Sequence, residues 1–223
     1  ACTPHIYPGL YLNDAQGISR ARQQLQAALD VYRIALTLVD GADVHLVPGL
    51  LEGLRAGAVP TLHGSRYVLL EPSHHVRPPH FEESVFELVA AGYTPVITHP
   101  ERLTWIEDHH EVFPRLVRQG AWLQVTAGAL TGLFGKRAKY WGERLLGEGQ
   151  VHLLASDAHS SGRRAPGLSQ ARAVAERLVG AEEARRLVLD RPQAILDDLP
   201  PSQAPALPDV ALPKGWLQRL LRR

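Results

Sequence analysis

The sequence predicts an α/β fold with a mainly parallel β-sheet, either open or closed as a barrel. Short apolar segments alternate with amphipathic helical segments along most of the 223 residues, which is typical of consecutive βαβ units. The composition, 45% hydrophobic and 21% charged, is ordinary for a globular protein and excludes a disordered chain. No apolar stretch approaches the roughly 18 residues of a membrane span.

The first predicted element is a helix over residues 15–36, where apolar residues recur at three- and four-residue steps. Asp14 is its predicted N-cap, and Gly41 lies beyond its end. No strand is predicted in the first five residues. The predicted strands are 44–47, 67–70, 95–98, 122–126 and 151–155. The helices predicted around them are 50–56, 81–90, 111–118, 136–147, 168–179, 181–189 and 192–196.

Charge and cysteine content restrict the possible partners and the compartment. The net charge is +1, from 24 basic and 23 acidic residues, so no global field attracts nucleic acid or an anionic membrane. The one cysteine, Cys2, cannot form an internal disulfide, which suits a reducing cytoplasm. We therefore expect a cytoplasmic protein that does not bind nucleic acid.

Acidic residues and histidines follow three of the predicted strands directly. Glu71 follows the strand 67–70, His99 follows 95–98, and Asp157 and His159 come just after 151–155. The carboxyl ends of parallel strands meet at one mouth of the sheet, where α/β barrels place their active sites. Oxygen and nitrogen donors of this kind suit manganese, iron or zinc. The pattern therefore predicts a metal site at this mouth.

Two arginines follow the same strand ends and indicate a phosphate ligand. Arg102 lies three residues after His99, and Arg164 lies five after His159. Guanidiniums bind phosphate oxygens in a bidentate way, while metals activate water and neutralise charge. The sequence has no P-loop and no cysteine followed by an arginine at a phosphatase-loop spacing. Metal-assisted hydrolysis of a phosphate ester is the predicted reaction class.

Several other polar residues keep more than one interpretation. His45 and His152 lie within predicted strands and are expected to pack in the fold. The histidines at 74, 75 and 80 lie in a proline-rich loop after Glu71, where substrate contact is an alternative to a solvated loop. Glu101 fits either an outer, salt-bridging group or a ligand.

Five short stretches together resemble the bacterial polymerase-and-histidinol-phosphatase superfamily, and within it the capsule-biosynthesis tyrosine-protein phosphatases of the CpsB/YwqE type. They are Thr3-Pro4-His5, HPER at 99–102, QVTAG at 124–128, Leu133-Phe134-Gly135 and SDAH at 156–159. Each stretch alone is weakly specific, but their order and intervening lengths are strongly specific. The resemblance covers residues 1–196.

This resemblance implies a distorted (β/α)7 barrel and a site of two or three manganese ions. It implies hydrolysis of phosphotyrosine on a cytoplasmic bacterial tyrosine autokinase, which regulates capsule or exopolysaccharide synthesis. By position, the implied metal ligands are His5, Glu71, His99, Asp157 and His159, and the implied phosphate-binding residues are Arg102 and Arg164. Alternatives are a catalytically impaired phosphotyrosine-binding module and a small-molecule phosphoesterase such as a histidinol phosphatase. An oligomer is compatible with either.

The sequence departs from the family pattern in two places. The family opens with a strand that carries a His-x-His pair, and this chain opens at Ala1 without it. The family also places a glutamate just after a Pro-Gly pair, whereas Pro48-Gly49 is followed by Leu50, Leu51 and only then Glu52. We therefore expect an N-terminally incomplete family member that holds fewer ions, binds manganese weakly and hydrolyses phosphotyrosine poorly.

Composition divides the chain into three predicted parts. Residues 1–199 form the phosphatase domain, residues 200–213 a proline-rich linker, and residues 214–223 a basic amphipathic tail. A tail of this length is too short for a stable lone helix, so a frayed terminus is favoured over contact with an anionic membrane or a partner groove.

Overall fold

A curled, seven-stranded β-sheet organises the computed structural model, which describes residues 1–209. Its strands are β1 (His5–Tyr7), β2 (Tyr11–Leu12), β3 (Asp43–His45), β4 (Tyr67–Glu71), β5 (Thr94–Thr98), β6 (Trp122–Thr126) and β7 (Leu153–Ala155). Their order in the sheet is β2-β1-β3-β4-β5-β6-β7. All neighbours are parallel except β2, which pairs antiparallel with β1. This architecture confirms the α/β prediction.

Helices connect the parallel strands. They are α1 (Ala15–Val31), α2 (Leu50–Arg55), α3 (Phe81–Ala90), α4 (Ile106–His109), α5 (Val112–Gln119), α6 (Ala127–Leu130), α7 (Gly135–Gly147), α8 (Ser169–Val179), α9 (Ala181–Arg185) and α10 (Arg191–Leu196). Short 3-10 turns occupy Leu62–Gly64 and Pro100–Arg102, and a π-helical turn occupies Arg186–Asp190. None of the helices formed within residues 1–209 has the length and hydropathy needed to cross a bilayer.

The sheet curls so that its first and last parallel strands approach each other. The imidazole ring of His5, in β1, lies 5.8 Å from that of His159, which follows β7. In residues 1–209 no pairing joins β2 to β7, so the sheet is a half-barrel with a concave inner face.

Side chains alternate between the two faces of the sheet and form two separate cores. Leu70, Ile97 and Leu123 point outward and pack with α3, α5 and α7 in the larger core. Tyr67 and Trp122 point inward, into a smaller apolar core that Leu62, Ile195 and Ala204 also join. Because the inward positions of β4 have a period of two, Glu71 lies on the same inner face, at the opposite end of the strand. The concave face is therefore apolar at one end and polar at the other.

The first helix differs from its prediction. Asp14 caps it as predicted, accepting a hydrogen bond from the backbone N–H of Gly17 at 2.6 Å, but the helix ends at Val31 instead of residue 36. Arg33 has a left-handed φ of 54°, and Gln26 bonds the backbone of Leu36 and Leu38. The apolar residues that extended the predicted pattern remain exposed, so no packing holds them in a helix.

The first strand is a second difference. Residues 1–5 were expected to hold no strand, but His5 begins β1 and pairs with Asp43 of β3. A three-residue strand has too few positions for an alternating pattern, and only its neighbour in the sheet defines it. The short elements β2, α4 and α6 were missed for the same reason. The predicted helix 181–189 is present as α9 and the π-helical turn.

The segment after α10 packs against the domain over its first residues. Ala204 is buried in the inner core. The buried Arg191 side chain donates hydrogen bonds to the carbonyls of Pro205 and Ala206, at 2.9 and 2.7 Å. The same guanidinium forms a bidentate ion pair with the Glu183 carboxylate, with N–O distances of 2.6 and 3.1 Å. Residues 210–213 of the predicted linker and the predicted tail at 214–223 lie outside the described residues, and the division into parts stays a prediction.

We predict that Arg191→Met lowers the free energy of unfolding by about 3–5 kcal/mol, because it leaves the Glu183 carboxylate buried without its partner. Arg185→Met is the matched control, since Arg185 is 56% exposed and pairs with Asp190 at the surface. That change should cost no more than about 1 kcal/mol. Urea titration of both variants measures the difference; equal costs would contradict the structural role of the buried pair.

Candidate metal centre

A buried glutamate lies at the centre of the polar end of the concave face. Glu71, the last residue of β4, is 6% exposed. Three imidazoles surround its carboxylate: His5 Nδ1 at 3.2 Å, His74 Nε2 at 3.2 Å and His99 Nε2 at 3.3 Å. These side chains come from β1, from the loop after β4 and from the residue after β5. The sheet thus brings together three residues that the sequence predicted as ligands, and adds His74.

Asp43, on β3, is a second carboxylate in the same cluster. Its Oδ2 lies 3.6 Å from His5 Nδ1 and 3.7 Å from His99 Nε2, and Thr98 donates a hydrogen bond to its Oδ1 at 3.2 Å. Two groups of three donors result, each with its ligand atoms within 4.8 Å of one another. One is Glu71, His74 and His99; the other is His5, Asp43 and Glu71. Glu71 belongs to both groups and could be a ligand in either.

The electrostatics of the cluster fit a cation. Burial alone raises the pKa of Glu71, but its histidine neighbours outweigh this and hold that pKa far below its usual range. Burial alone lowers the pKa of His99, whereas the carboxylates of Asp43 and Glu71 raise it to about 9. The buried Nδ1 of His5 has no hydrogen-bond partner and lies against both carboxylates. Buried carboxylates that draw protons onto imidazoles suit a divalent cation with O/N preference.

The remaining predicted residues form a second group beside this cluster. Asp157 Oδ2 accepts hydrogen bonds from Arg102 Nη1 at 2.8 Å and from Arg164 Nη2 at 2.5 Å. His159 Nδ1 lies 3.5 Å from Asp157 Oδ1, and its ring lies 5.8 Å from that of His5, tilted by 53°. All seven predicted site residues therefore lie at one mouth, but Asp157 contacts the arginines instead of Glu71. Their roles as ligands and phosphate-binding groups stay predictions.

Two of these residues have strained backbones. His99 has a φ of 36° and Asp157 a φ of 48°, both in the left-handed region that non-glycine residues rarely occupy. His99 directly follows β5, and Asp157 lies two residues beyond the end of β7. At both points the chain turns sharply away from the sheet. Such strain is typical of functional sites, where the surrounding structure holds a side chain in a required direction.

Sequence reasoning missed Asp43 and did not count His45 or His74 among the residues around Glu71. Asp43 lay one residue outside the predicted strand 44–47, although it and His45 occupy the same face of β3 by the period of two. His45 was expected to pack in the fold, and its ring stacks on Tyr7 at 3.7 Å, but its Nδ1 also lies 3.8 Å from Glu71 Oε2. His74 was grouped with the loop, while its three-residue spacing from Glu71 brings it back onto that carboxylate.

Two glutamates considered from the sequence lie outside the cluster. Glu101 is fully buried and accepts a hydrogen bond from the backbone N–H of Thr126 at 3.0 Å, which ties the end of β5 to the end of β6. Burial raises the pKa of Glu101 to about 7. Glu52 is exposed in the first turn of α2, consistent with the expectation that it does not replace the family's glutamate after Pro-Gly.

Comparison with known proteins gives a consistent family match. A family model described as capsular polysaccharide synthesis, CpsB/CapC, matches residues 1–197. The tyrosine-protein phosphatase YwqE of Bacillus subtilis (strain 168) is 34% identical over 181 residues, which cover 81% of this chain and 71% of YwqE. The tyrosine-protein phosphatase CpsB of Streptococcus pneumoniae is 29% identical over 205 residues, covering 88% of this chain and 83% of CpsB.

A solved structure shares the fold. It comes from crystal structures of YwqE from Bacillus subtilis and CpsB from Streptococcus pneumoniae, described as unique metal-dependent tyrosine phosphatases. It superposes with a TM-score of 0.83 at 31% identity, covering 88% of this chain and 79% of the other. The arrangement of βα units around the cluster is therefore that of these proteins.

We predict that manganese stabilises the wild-type protein through Glu71. At a metal concentration about 100 times the dissociation constant, stabilisation should reach about 2.7 kcal/mol. Glu71→Gln removes the charge shared by both donor groups and should abolish the shift in melting temperature between metal and chelator. Glu87→Gln, an exposed change on α3, should keep it. An undiminished shift in Glu71→Gln would place the cation elsewhere.

Glu101 should make the metal-free protein less stable as the pH rises. An unfolded glutamate ionises near pH 4.5, while the folded one keeps its proton to about pH 7, so folding stability falls across this window. The glutamine of Glu101→Gln stays neutral at both pH values. The stability that this variant gains over wild type should therefore be about 3 kcal/mol larger at pH 7 than at pH 4.5. Denaturant titrations in chelator measure this difference, and Glu87→Gln should show none.

Proposed function

The chain belongs to the CpsB/CapC family of capsular polysaccharide synthesis, and we propose that it is a metal-dependent phosphatase that removes phosphate from phosphotyrosine in proteins. The relatives YwqE and CpsB are named tyrosine-protein phosphatases, and the superposed structures are described as metal-dependent. The chain spans about seven-tenths of YwqE and more than eight-tenths of CpsB.

One observation carries this proposal: a carboxylate–imidazole cluster and a pair of guanidiniums share one mouth of the sheet. His5 belongs to the cluster, and its ring lies 5.8 Å from that of His159, near Asp157, which binds Arg102 and Arg164. A phosphate monoester carries two negative charges, which need both a cation and fixed hydrogen-bond donors. Guanidiniums supply paired N–H groups that match phosphate oxygens.

Different residues of the mouth would bind the cations and orient the phosphate. His74 and His99 with Glu71, and His5 and Asp43 with Glu71, would hold divalent cations. Such cations, when bound, activate water and neutralise charge on a phosphoryl group. Arg102 and Arg164 bind the phosphoryl oxygens, and the Asp157 carboxylate fixes the direction of both guanidiniums.

A tyrosine leaving group requires little help from a general acid. A tyrosine hydroxyl has a pKa of about 10, so tyrosinate leaves with far less proton transfer than the alkoxide of serine or threonine requires. The imidazoles nearest the cluster are committed to Glu71 and Asp43. We therefore expect aryl phosphate esters to be hydrolysed faster than alkyl esters.

The metal, the partner and the compartment are parts of the same proposal. Mixed carboxylate and imidazole donors suit manganese. The substrate we propose is the phosphotyrosine of a bacterial tyrosine autokinase that acts in capsule synthesis, in the cytoplasm. Asp43 and His74 join three of the five ligands inferred from the sequence, His5, Glu71 and His99, so the cluster has five donors. Because of the two added donors, we propose turnover by this chain itself, in place of the poor hydrolysis expected from the sequence.

We predict that the chain releases phosphate from a phosphotyrosine peptide with manganese and that chelator stops the reaction. His99→Ala should lower kcat/KM by more than about 100-fold, because loss of even an outer-shell metal partner costs 10–100-fold. His63→Ala, a change in an exposed turn that precedes β4, is the matched control and should keep wild-type activity.

Malachite-green assays and a metal count on the same samples test the proposal. Bound metal with no release from any phosphotyrosine peptide would contradict it and favour a binding module. Faster release from histidinol phosphate than from the peptide would favour a small-molecule phosphoesterase.

A further inference from the structure

Phe134 lies between the two arginines of the mouth. It occupies the turn before α7, and its ring centroid is 4.5 Å from the Arg102 guanidinium carbon and 5.5 Å from that of Arg164. Both distances lie within the roughly 6 Å over which a cation interacts with an aromatic face. One ring thus contacts both guanidiniums that converge on Asp157 Oδ2.

Packing in the core does not account for this phenylalanine. Phe134 is half-buried and belongs to neither of the two apolar cores. Together with Arg164 it borders an open cleft of about 380 Å³ that Leu133 and Ser156 also line. This aromatic side chain lies at the edge of a cleft and contacts two cationic groups. Its position therefore indicates a role in arranging those groups instead of a role in core packing.

Gly128 supplies the space for the ring. A Cβ at Gly128 would lie 2.8 Å from Phe134 Cε2, closer than Cβ atoms approach other atoms in proteins, and 3.0 Å from Leu133 Cδ2, which is unusually tight. The glycine is helical, within α6, so its backbone conformation does not require glycine. Its lack of a side chain lets the Leu133–Phe134 turn approach α6. The glycine of QVTAG and the phenylalanine of the stretch at 133–135 are therefore parts of one arrangement.

We propose that Phe134 is a positioning residue that holds Arg102 and Arg164 in the direction needed to bind an oxyanion, with Gly128 making room for it. Two guanidiniums on one carboxylate oxygen repel each other, and Asp157 offsets only one of the two charges. The negative face of the ring reduces this repulsion and restricts the rotamers of two long side chains. Bound phosphate then meets donors that are already arranged.

Affinity for inorganic phosphate, measured by titration calorimetry, tests this inference. Phe134→Leu should weaken phosphate binding by about three- to tenfold, the range expected for lost cation–π contacts. Phe134→Tyr should keep wild-type affinity, because the aromatic face remains. Phe86→Leu, the same change at a 59% exposed phenylalanine of α3, is the matched control. Wild-type affinity in a folded Phe134→Leu variant would overturn the inference.

Gly128→Ala gives a second, independent route to the same result. It should displace the ring and weaken phosphate binding as Phe134→Leu does, and the double variant should be no weaker than either single one. Additive losses would overturn the inference. Melting temperatures verify that each variant is folded.

The inference rests on the proposed function for its ester substrate, but the phosphate titration does not depend on turnover. If the peptide is hydrolysed, Phe134→Leu should raise KM more than it lowers kcat. If no peptide is hydrolysed, the proposed function fails, while the phosphate affinities still decide the role of Phe134.

Discussion

The structure depends on the burial of the Glu71 carboxylate among imidazoles. A buried, ionised carboxylate is strongly unfavourable unless it is paired. Three strands and the loops that follow them must therefore bring His5, His74 and His99 to within about 3.3 Å of it. The half-barrel meets this requirement because β1, β4 and β5 all present their inner faces to one concavity. Moving any one of these strands by a residue would turn its polar side chains into the outer, apolar core.

The same alternation explains why one end of the concavity is reactive and the other is not. Along β4, Tyr67 and Glu71 point inward, and the first is packed by apolar residues from α10 and the segment after it. Arg191 holds that segment in place through hydrogen bonds to the carbonyls of Pro205 and Ala206, and it also pairs with Glu183. Within residues 1–209, the apolar end is therefore closed by packing and an ion pair, and the end that holds Glu71 is left for a ligand.

The sequence was sufficient for the fold class, for most elements and for the residues directly after strands, because periodicity and strand ends are local features. It was insufficient for β1, whose three residues are defined by pairing with β3, and for the end of α1, where unpacked apolar residues mimic a helical face. Asp43 shows the cost of an error of one residue in a strand boundary. His74 shows that a candidate donor can come from a loop, where no periodic pattern indicates it.

The mouth separates charge in a way that orients an anion. Glu71 and Asp43 lie on the side near β3 and β4, where a cation would replace the protons that these carboxylates draw onto their histidine neighbours. On the side of β7, two guanidiniums share the single charge of Asp157, which leaves an excess of positive charge. A phosphate monoester that enters from the cleft beside Arg164 would meet the arginines first. The side of the mouth that holds Glu71 would attract the phosphate only when a cation is bound there. The proposed metal dependence and the proposed arginine binding therefore both follow from one distribution of charge along the edge of the sheet.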